Sequence, residues 1–376
     1  MNFRSFIVAC IFLGILISPR LSILPIHLVD LFLPLIFLCY LRNSIFMRNI
    51  LFSFLVFVAP YLITFNVNYY SNTSILILIK YTHICILFSF GCVESLEIKN
   101  FFNSSFFRLI LLVSTFYLFM ELIGFLPNSD LMGLSEATHY GVCTIGECAV
   151  FQSGGIVLLL LISAVYSFWR SEHGGKFTYL IISLILLISL VSIESRATLI
   201  GLIFSIVIAF RIYKKPLFIY ILIFSILLII YIQKFLQFDS RYSFDVIISA
   251  IKFRAENYFL PVFNRPLMDQ FLGEGLLAGT KYFPGDDGEV HNYYLRIFLE
   301  GGVYAFLSFF YFLYKLLKYL PKDVYFSKYN LITNIYFFMM IFSALVQDSF
   351  YSSIPMYIFS LLLGASVKGK IKTKFQ

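Results

Sequence analysis

The sequence predicts an all-α polytopic membrane protein, and three observations predict it. Of its 376 residues 60% are hydrophobic and only 13% charged, where a soluble domain carries about 25% charged residues. The mean hydropathy is +0.89. Apolar runs of roughly 20 residues, the length that crosses a bilayer as a helix, recur along the chain. Twelve spans are expected, at 3–18, 22–41, 45–65, 73–92, 105–126, 151–169, 177–193, 197–213, 216–234, 292–315, 328–346 and 350–367, the first and seventh being short. Pro19, Pro60, Pro127 and Pro216 fall at or near segment ends, where breaking a helix costs little. Residues 1–376 then form a single integral membrane domain. One long structured loop, 235–291, lies between helices 9 and 10; the side on which it lies follows from the charges.

The first segment could be taken for a signal peptide. Its charged region is Arg4 alone and no small-x-small cleavage site follows, so 3–18 is taken as the first span. Charge sets the orientation. With the N-terminus inside, the inner segments carry eighteen Lys and Arg, whereas the short outer loops carry only Arg20 and Arg196. That bias places both termini in the cytoplasm and the long loop outside. The net charge of +8 does not indicate nucleic acid, because the positive residues lie in short inter-helix loops rather than on one face.

Ionisable residues inside spans cost about 2.5–3.5 kcal/mol each on insertion scales and mark function by default. Asp30, Lys80, His83, Glu121, Arg196 and Glu300 are the candidates, all in the outer half; the cytoplasmic half carries almost no deep charge. A polar cavity open to the outer face is one reading. The other is structural pairing of Lys80 with Asp30 or Glu121, with His83 a helix-packing residue one turn from Lys80. Of six cysteines, Cys10, Cys39, Cys85 and Cys92 lie in apolar runs as packing residues. Cys143 and Cys148 share an outer loop and can pair if that side is oxidising.

Within the long loop, apolar residues from Tyr242 to Phe259 recur at helical spacing with Asp245, Ser249, Lys252 and Glu256 opposite, the pattern of an amphipathic helix at the membrane surface. Asn264-Arg265-Pro266 begins a turn, and Gly273-Glu274-Gly275 allows close backbone approach. The acidic turn Asp286-Asp287-Gly288 is ordinary turn chemistry, and no cluster has metal-ligand spacing, so no metal and no cofactor are assigned. On the helix that follows, Asn292, Arg296 and Glu300 share one stripe, with His291 beside it at the first turn. A neutral histidine there is either a general base or an interfacial residue without chemistry.

These residues resemble the bacterial O-antigen polymerase and O-antigen ligase superfamily. The resemblance rests on Ser195-Arg196 at the turn into span eight, on the late outer loop with Arg241 near its start and a Pro266-to-Gly275 stretch, and on His291-Asn292-x-x-Leu295 followed by Glu300-Gly301. The His-x10-Gly spacing runs from His291 to Gly302, and Asp30 is a weaker echo. The likeness is sharpest over 194–302, and an Arg-x10-Gly motif described for some polymerases is missing.

The resemblance implies a membrane glycosyltransferase at the periplasmic face of the bacterial inner membrane, a surface-polysaccharide polymerase in lipopolysaccharide biosynthesis. It would transfer a glycan from undecaprenyl pyrophosphate onto a lipid-linked repeat unit without a metal. Arg196 and Arg241, with Arg265 in reserve, would bind the pyrophosphate, because a guanidinium fork matches phosphate. His291 would take the proton of the acceptor hydroxyl, oriented by Glu300 or Asn292; Asp30, Lys80 and Glu121 are the intramembrane polar set. Expected partners are the lipid-linked oligosaccharide, membrane lipid, a chain-length regulator and a flippase, and no nucleic acid. A ligase that moves finished glycan to lipid A core is the same-chemistry alternative. A glycolipid flippase or transporter is the alternative of another class, for which no internal repeat is visible.

Overall fold

A computed structural model describes residues 3–17, 28–63, 72–123, 147–170, 175–192, 196–210, 249, 252, 256, 260–276, 278, 292–324, 326–345 and 353–371. Among them the protein is all helical, without strands. The helices are α1 (Phe3–Ile17), α2 (Leu28–Tyr40), α3 (Ser44–Phe57), α4 (Ala59–Ile63), α5 (Asn72–Val93), α6 (Ser95–Asn103), α7 (Ser105–Leu122), α8 (Glu147–Arg170), α9 (Lys176–Ser192), α10 (Arg196–Ala209), α11 (Leu260–Phe263), α12 (Leu267–Leu272), α13 (Tyr293–Tyr319), α14 (Lys328–Ser343) and α15 (Ser353–Ile371).

Eleven of the twelve expected spans coincide with one of these helices; the ninth, 216–234, lies outside the described residues. By length and composition one described helix, α13, is long and apolar enough to cross a membrane, and α5 with α6 passes the same test as a pair bent by 83°. Of the expected surface helix at 242–259 only Ser249, Lys252 and Glu256 are described, all three exposed; the rest lies outside the described residues. Cys143 lies outside the described residues, as does the side chain of Cys148. The third expected span is broken near Pro60, which has no N–H to donate. Helix α3 closes with the Val58 N–H on the Phe54 carbonyl, and α4 starts again from the Val58 carbonyl.

Polar contacts sort the helix ends into two layers. At one end the starts of α2 and α15 meet, Asp30 against Tyr357, and the start of α13 meets the end of α14, where the Tyr293 N–H donates to the Ala344 carbonyl. At the other, Arg4 of α1, Tyr40 of α2 and Glu94 after α5 converge, and Tyr329 of α14 donates to the Leu362 carbonyl of α15. Helices α1, α2, α14 and α15 thus alternate in direction. This second end also holds a bed of aromatic rings, Phe12, Phe101, Phe102, Phe107 and Tyr329.

The tightest helix contact is between α5 and α15, which run parallel: Asp30 links His83 and Tyr357 near one end, and Ser95 donates to the Ala365 carbonyl near the other. Gly91 and Gly364 make the approach possible. A Cβ on Gly91 would lie 2.6 Å from the Leu361 carbonyl oxygen, and one on Gly364 would strike the Phe88 carbonyl oxygen. Small residues let backbones approach where dispersion, not water, drives helix association. Substituting Gly364 with Leu is expected to cost about 3 kcal/mol or more by overpacking. Gly14→Ala, whose Cβ would meet Val29 Cα at 3.3 Å, should cost far less. Thermal melting of the two purified variants in detergent compares them.

Candidate functional site

The site is built around a break in α13. Asn292 caps its start, accepting from the Leu295 N–H at 3.0 Å while its amide donates to the Leu345 carbonyl at 3.0 Å. The helix runs regularly until Gly302, whose φ of 63° and ψ of −164° end it for one residue before it resumes. An unbroken helix would satisfy the carbonyls of Phe298, Leu299 and Glu300 with N–H groups four residues on. Here the segment from Val262 to Gly275 satisfies them. Arg265 donates to the Phe298 carbonyl at 3.3 Å and to the Leu299 carbonyl at 3.1 Å. The N–H groups of Glu274 and Gly275 donate to the carbonyls of Leu299 and Glu300 at 3.0 and 2.9 Å.

Two glycines allow this fit. Gly273 has φ 79°, and a Cβ there would strike the Glu300 carbonyl oxygen; one on Gly302 would strike the Phe271 carbonyl oxygen. Arg265 is buried and fully employed. Its Nε donates to the Val262 carbonyl at 2.8 Å, its Nη1 lies 3.3 Å from Glu274 Oε1, and the guanidinium covers the Phe298 ring at 5.4 Å. The expected phosphate ligand is therefore a clamp on the broken helix. Asn292, expected in catalysis, serves as a helix cap and as a tie to the end of α14.

One turn inside the break lies a buried ion pair, Arg296 Nε to Glu300 Oε1 at 3.0 Å, with the two residues 5% and 1% exposed. The stripe expected from spacing thus closes as a pair between its second and third members. Gly301 faces Pro60 and Tyr61 of α4, and Tyr61 stacks on Tyr81 of α5 at 5.3 Å. Beside Tyr81 is Lys80, buried within electrostatic reach of Asp30. Asp30 Oδ1 also accepts from the Tyr357 hydroxyl at 2.7 Å and shares a 2.9 Å hydrogen bond with His83 Nδ1. The partners that Asp30 meets directly are His83 and Tyr357, with Lys80 in the same cluster. His83 also lines an apolar cleft of about 520 Å³ between α2, α3 and α5, with Pro34, Phe54, Leu78 and Ile79.

His291 and Arg241 lie outside the described residues. Arg196 is the first residue of α10, and Glu121 lies in the last turn of α7; neither side chain is described. Three residues escaped sequence reasoning. Glu274 is a loop carboxylate with no pattern to mark it, and Tyr357 sits in an apolar run where a tyrosine is unremarked. Glu94, the third, is a buried carboxylate: it is 2% exposed, accepts from the Tyr40 hydroxyl at 2.8 Å and lies 3.8 Å from Arg4. Its place at the end of an apolar run made it look like a loop residue. Among the described residues no three His, Cys, Asp or Glu side chains are placed to hold a metal ion. No protein-family model, no curated protein and no solved structure matches the chain.

Removing the Arg265 guanidinium would leave Glu274 and the carbonyls of Phe298 and Leu299 short of donors. Breaking one side of a buried pair costs about 3–5 kcal/mol, and Arg265→Ala is expected to lower the melting temperature accordingly. Arg265→Lys should recover only part, since an ammonium cannot bridge the fork's separate acceptors.

Proposed function

We propose that the chain is a twelve-span glycosyltransferase of the bacterial inner membrane, with N- and C-termini cytoplasmic. Its reaction extends a surface polysaccharide on an undecaprenyl-pyrophosphate lipid at the outer face. The observation that carries this reading is the clamped break in α13, which fixes a buried Arg296–Glu300 pair about two turns beneath Asn292, the residue next to His291. The Asp30 end, where polar groups from α2, α5 and α15 meet, is the outer end on this reading. The other end bears Arg4, Lys99 and Lys328 and faces the cytoplasm.

The reaction follows from the residues. The acceptor hydroxyl oxygen attacks the anomeric carbon of the lipid-linked glycan, and the bond from that carbon to the pyrophosphate oxygen breaks. The pyrophosphate leaves with the electron pair, and its new charge is met by Arg196 and Arg241, stabilised as it develops. The hydroxyl proton passes to His291. Glu300, itself held by Arg296, gives that end of α13 its charge balance. Arg265 is left out of the pyrophosphate set, since its donors serve the clamp.

A broken helix also favours a transporter, where half-helix ends receive substrate. In this chain the freed carbonyls are already filled by Arg265, Glu274 and Gly275, which removes the usual ion or substrate site and leaves the polymerase reading ahead.

His291→Ala is expected to reduce polymerisation about 10²–10⁴-fold, leaving cells with single-repeat glycans on lipid A core. Long chains from a stably expressed His291→Ala protein would overturn the reading. A gene deletion that yields bare core marks a ligase, and exchange of lipid-linked sugar across vesicles without polymer marks a flippase. A reporter active only outside the cytoplasm should work when fused after Gly285 and fail when fused after Pro321.

A further inference from the structure

At the end opposite the site, α7 and α14 begin side by side, with the Lys328 ammonium over Phe107, the residue before Arg108. Lys328 is the first residue of α14 and only 6% exposed. Its ammonium lies over the Phe107 ring at 5.7 Å, and the positive field of Arg108 reaches it. Arg108 is exposed in the first turn of α7, with Nη2 3.2 Å from Ser105 Oγ. Lys99 of α6 flanks them over the Tyr329 ring at 5.3 Å, and burial lowers its hold on its proton. Among the described residues no carboxylate is within ion-pair distance of Lys328 or Arg108. Of the carboxylates nearby, Glu94 meets Tyr40 and Arg4, Glu97 meets Ser5, and Asp323, in the turn before α14, has its carbonyl held by Asn330 and forms no ion pair with Lys328.

Three effects then act against the same ammonium. It is withdrawn from water without a carboxylate partner among the described residues. It sits close to a like charge. It occupies a helix N-terminus, the positive end of the dipole. An anion between α7 and α14 would relieve all three at once, and a guanidinium beside an ammonium at a helix start is a donor set suited to phosphate. We propose that Lys328 and Arg108 form a phosphate-binding site at this end, filled by the headgroup of an anionic phospholipid or by free phosphate. The lipid source rests on the membrane reading above; the donor set does not. The position at the end that reading places in the cytoplasm, beside the exposed apolar residues Leu96 and Leu109, favours the headgroup.

The full chain is purified in neutral detergent and offered phosphatidylglycerol, phosphatidylcholine or inorganic phosphate. Binding is read by native mass spectrometry and by thermal melting. The expected result is preferential retention of phosphatidylglycerol, weakened roughly fivefold by Arg108→Gln, an exposed change that leaves the fold intact. Lys328→Met should abolish retention and raise the melting temperature of the lipid-free protein, because it removes a buried unpaired charge. If inorganic phosphate stabilises the wild type but not Arg108→Gln, while lipid retention is unchanged, the site takes free phosphate. Equal lipid retention and equal phosphate response in wild type and Arg108→Gln would overturn the proposal.

Discussion

Three carbonyls in the middle of a helix govern the architecture around the site. Once Gly302 turns out of helical geometry, Phe298, Leu299 and Glu300 lose their usual donors inside a packed bundle. An unmet buried acceptor costs about 1–3 kcal/mol, so a break of this kind survives only where other donors are brought to it. The segment from Val262 to Gly275 brings them, two from the backbone and two from one guanidinium. Its own shape follows from that task. Glycines are needed at 273 and 302 because each backbone lies where the other's Cβ would be. Inside α12, the Asp269 carbonyl accepts the Gly273 N–H and closes that helix against the break.

The same constraint explains why the charges here lie in pairs. Arg265 with Glu274 and Arg296 with Glu300 are each buried, and Arg265 also donates to backbone carbonyls. A buried pair adds little net stability over an apolar equivalent, whereas half of one is strongly destabilising. Such pairs fix a geometry. From Gly301 the contact passes through Tyr61 and Tyr81 to the helix that carries Lys80 and His83. Two polar clusters that are far apart in sequence thus share one aromatic spacer. Asp30 joins three helices by accepting from α15 and meeting α5.

The helical class and most helix positions were readable in the sequence because a bilayer-length apolar run is a strong, local signal. The ends were less readable. The bend between α5 and α6 falls at Val93–Ser95, where the amphipathic stretch Ser95–Asn103 looks like a short polar loop until Phe101 and Phe102 are seen packed on Phe12. Glycine positions were readable as permission for close approach, not as to which partner. Gly273 and Gly275 were expected to let backbones meet, and the partner is a helix broken 29 residues after Gly273, at Gly302. The spacing from His291 to Gly302 was visible only as a pattern; its glycine is required because φ is positive there. Asp30 and Lys80 were found by their cost in an apolar run. Tyr357 carries no such cost and so gave no sign of its bond to Asp30.

The hardest distinction from sequence was among the arginines, and the geometry around one of them shows why. A guanidinium that binds phosphate and one that clamps a helix break use the same donors, the same loop chemistry and the same neighbouring glycines. Both occur beside turns, and both are flanked by Pro and Gly for reasons of backbone conformation. What separates them is where the donors point. Arg265 turns Nε and both Nη atoms toward protein oxygens and is 6% exposed, so a bidentate contact with phosphate would draw donors away from Glu274 and the carbonyls of Val262, Phe298 and Leu299, of which Leu299 keeps the Glu274 N–H. On the reading proposed above, the pyrophosphate is met by a different arginine, and Arg196 at the start of α10 stands where a helix dipole favours an anion.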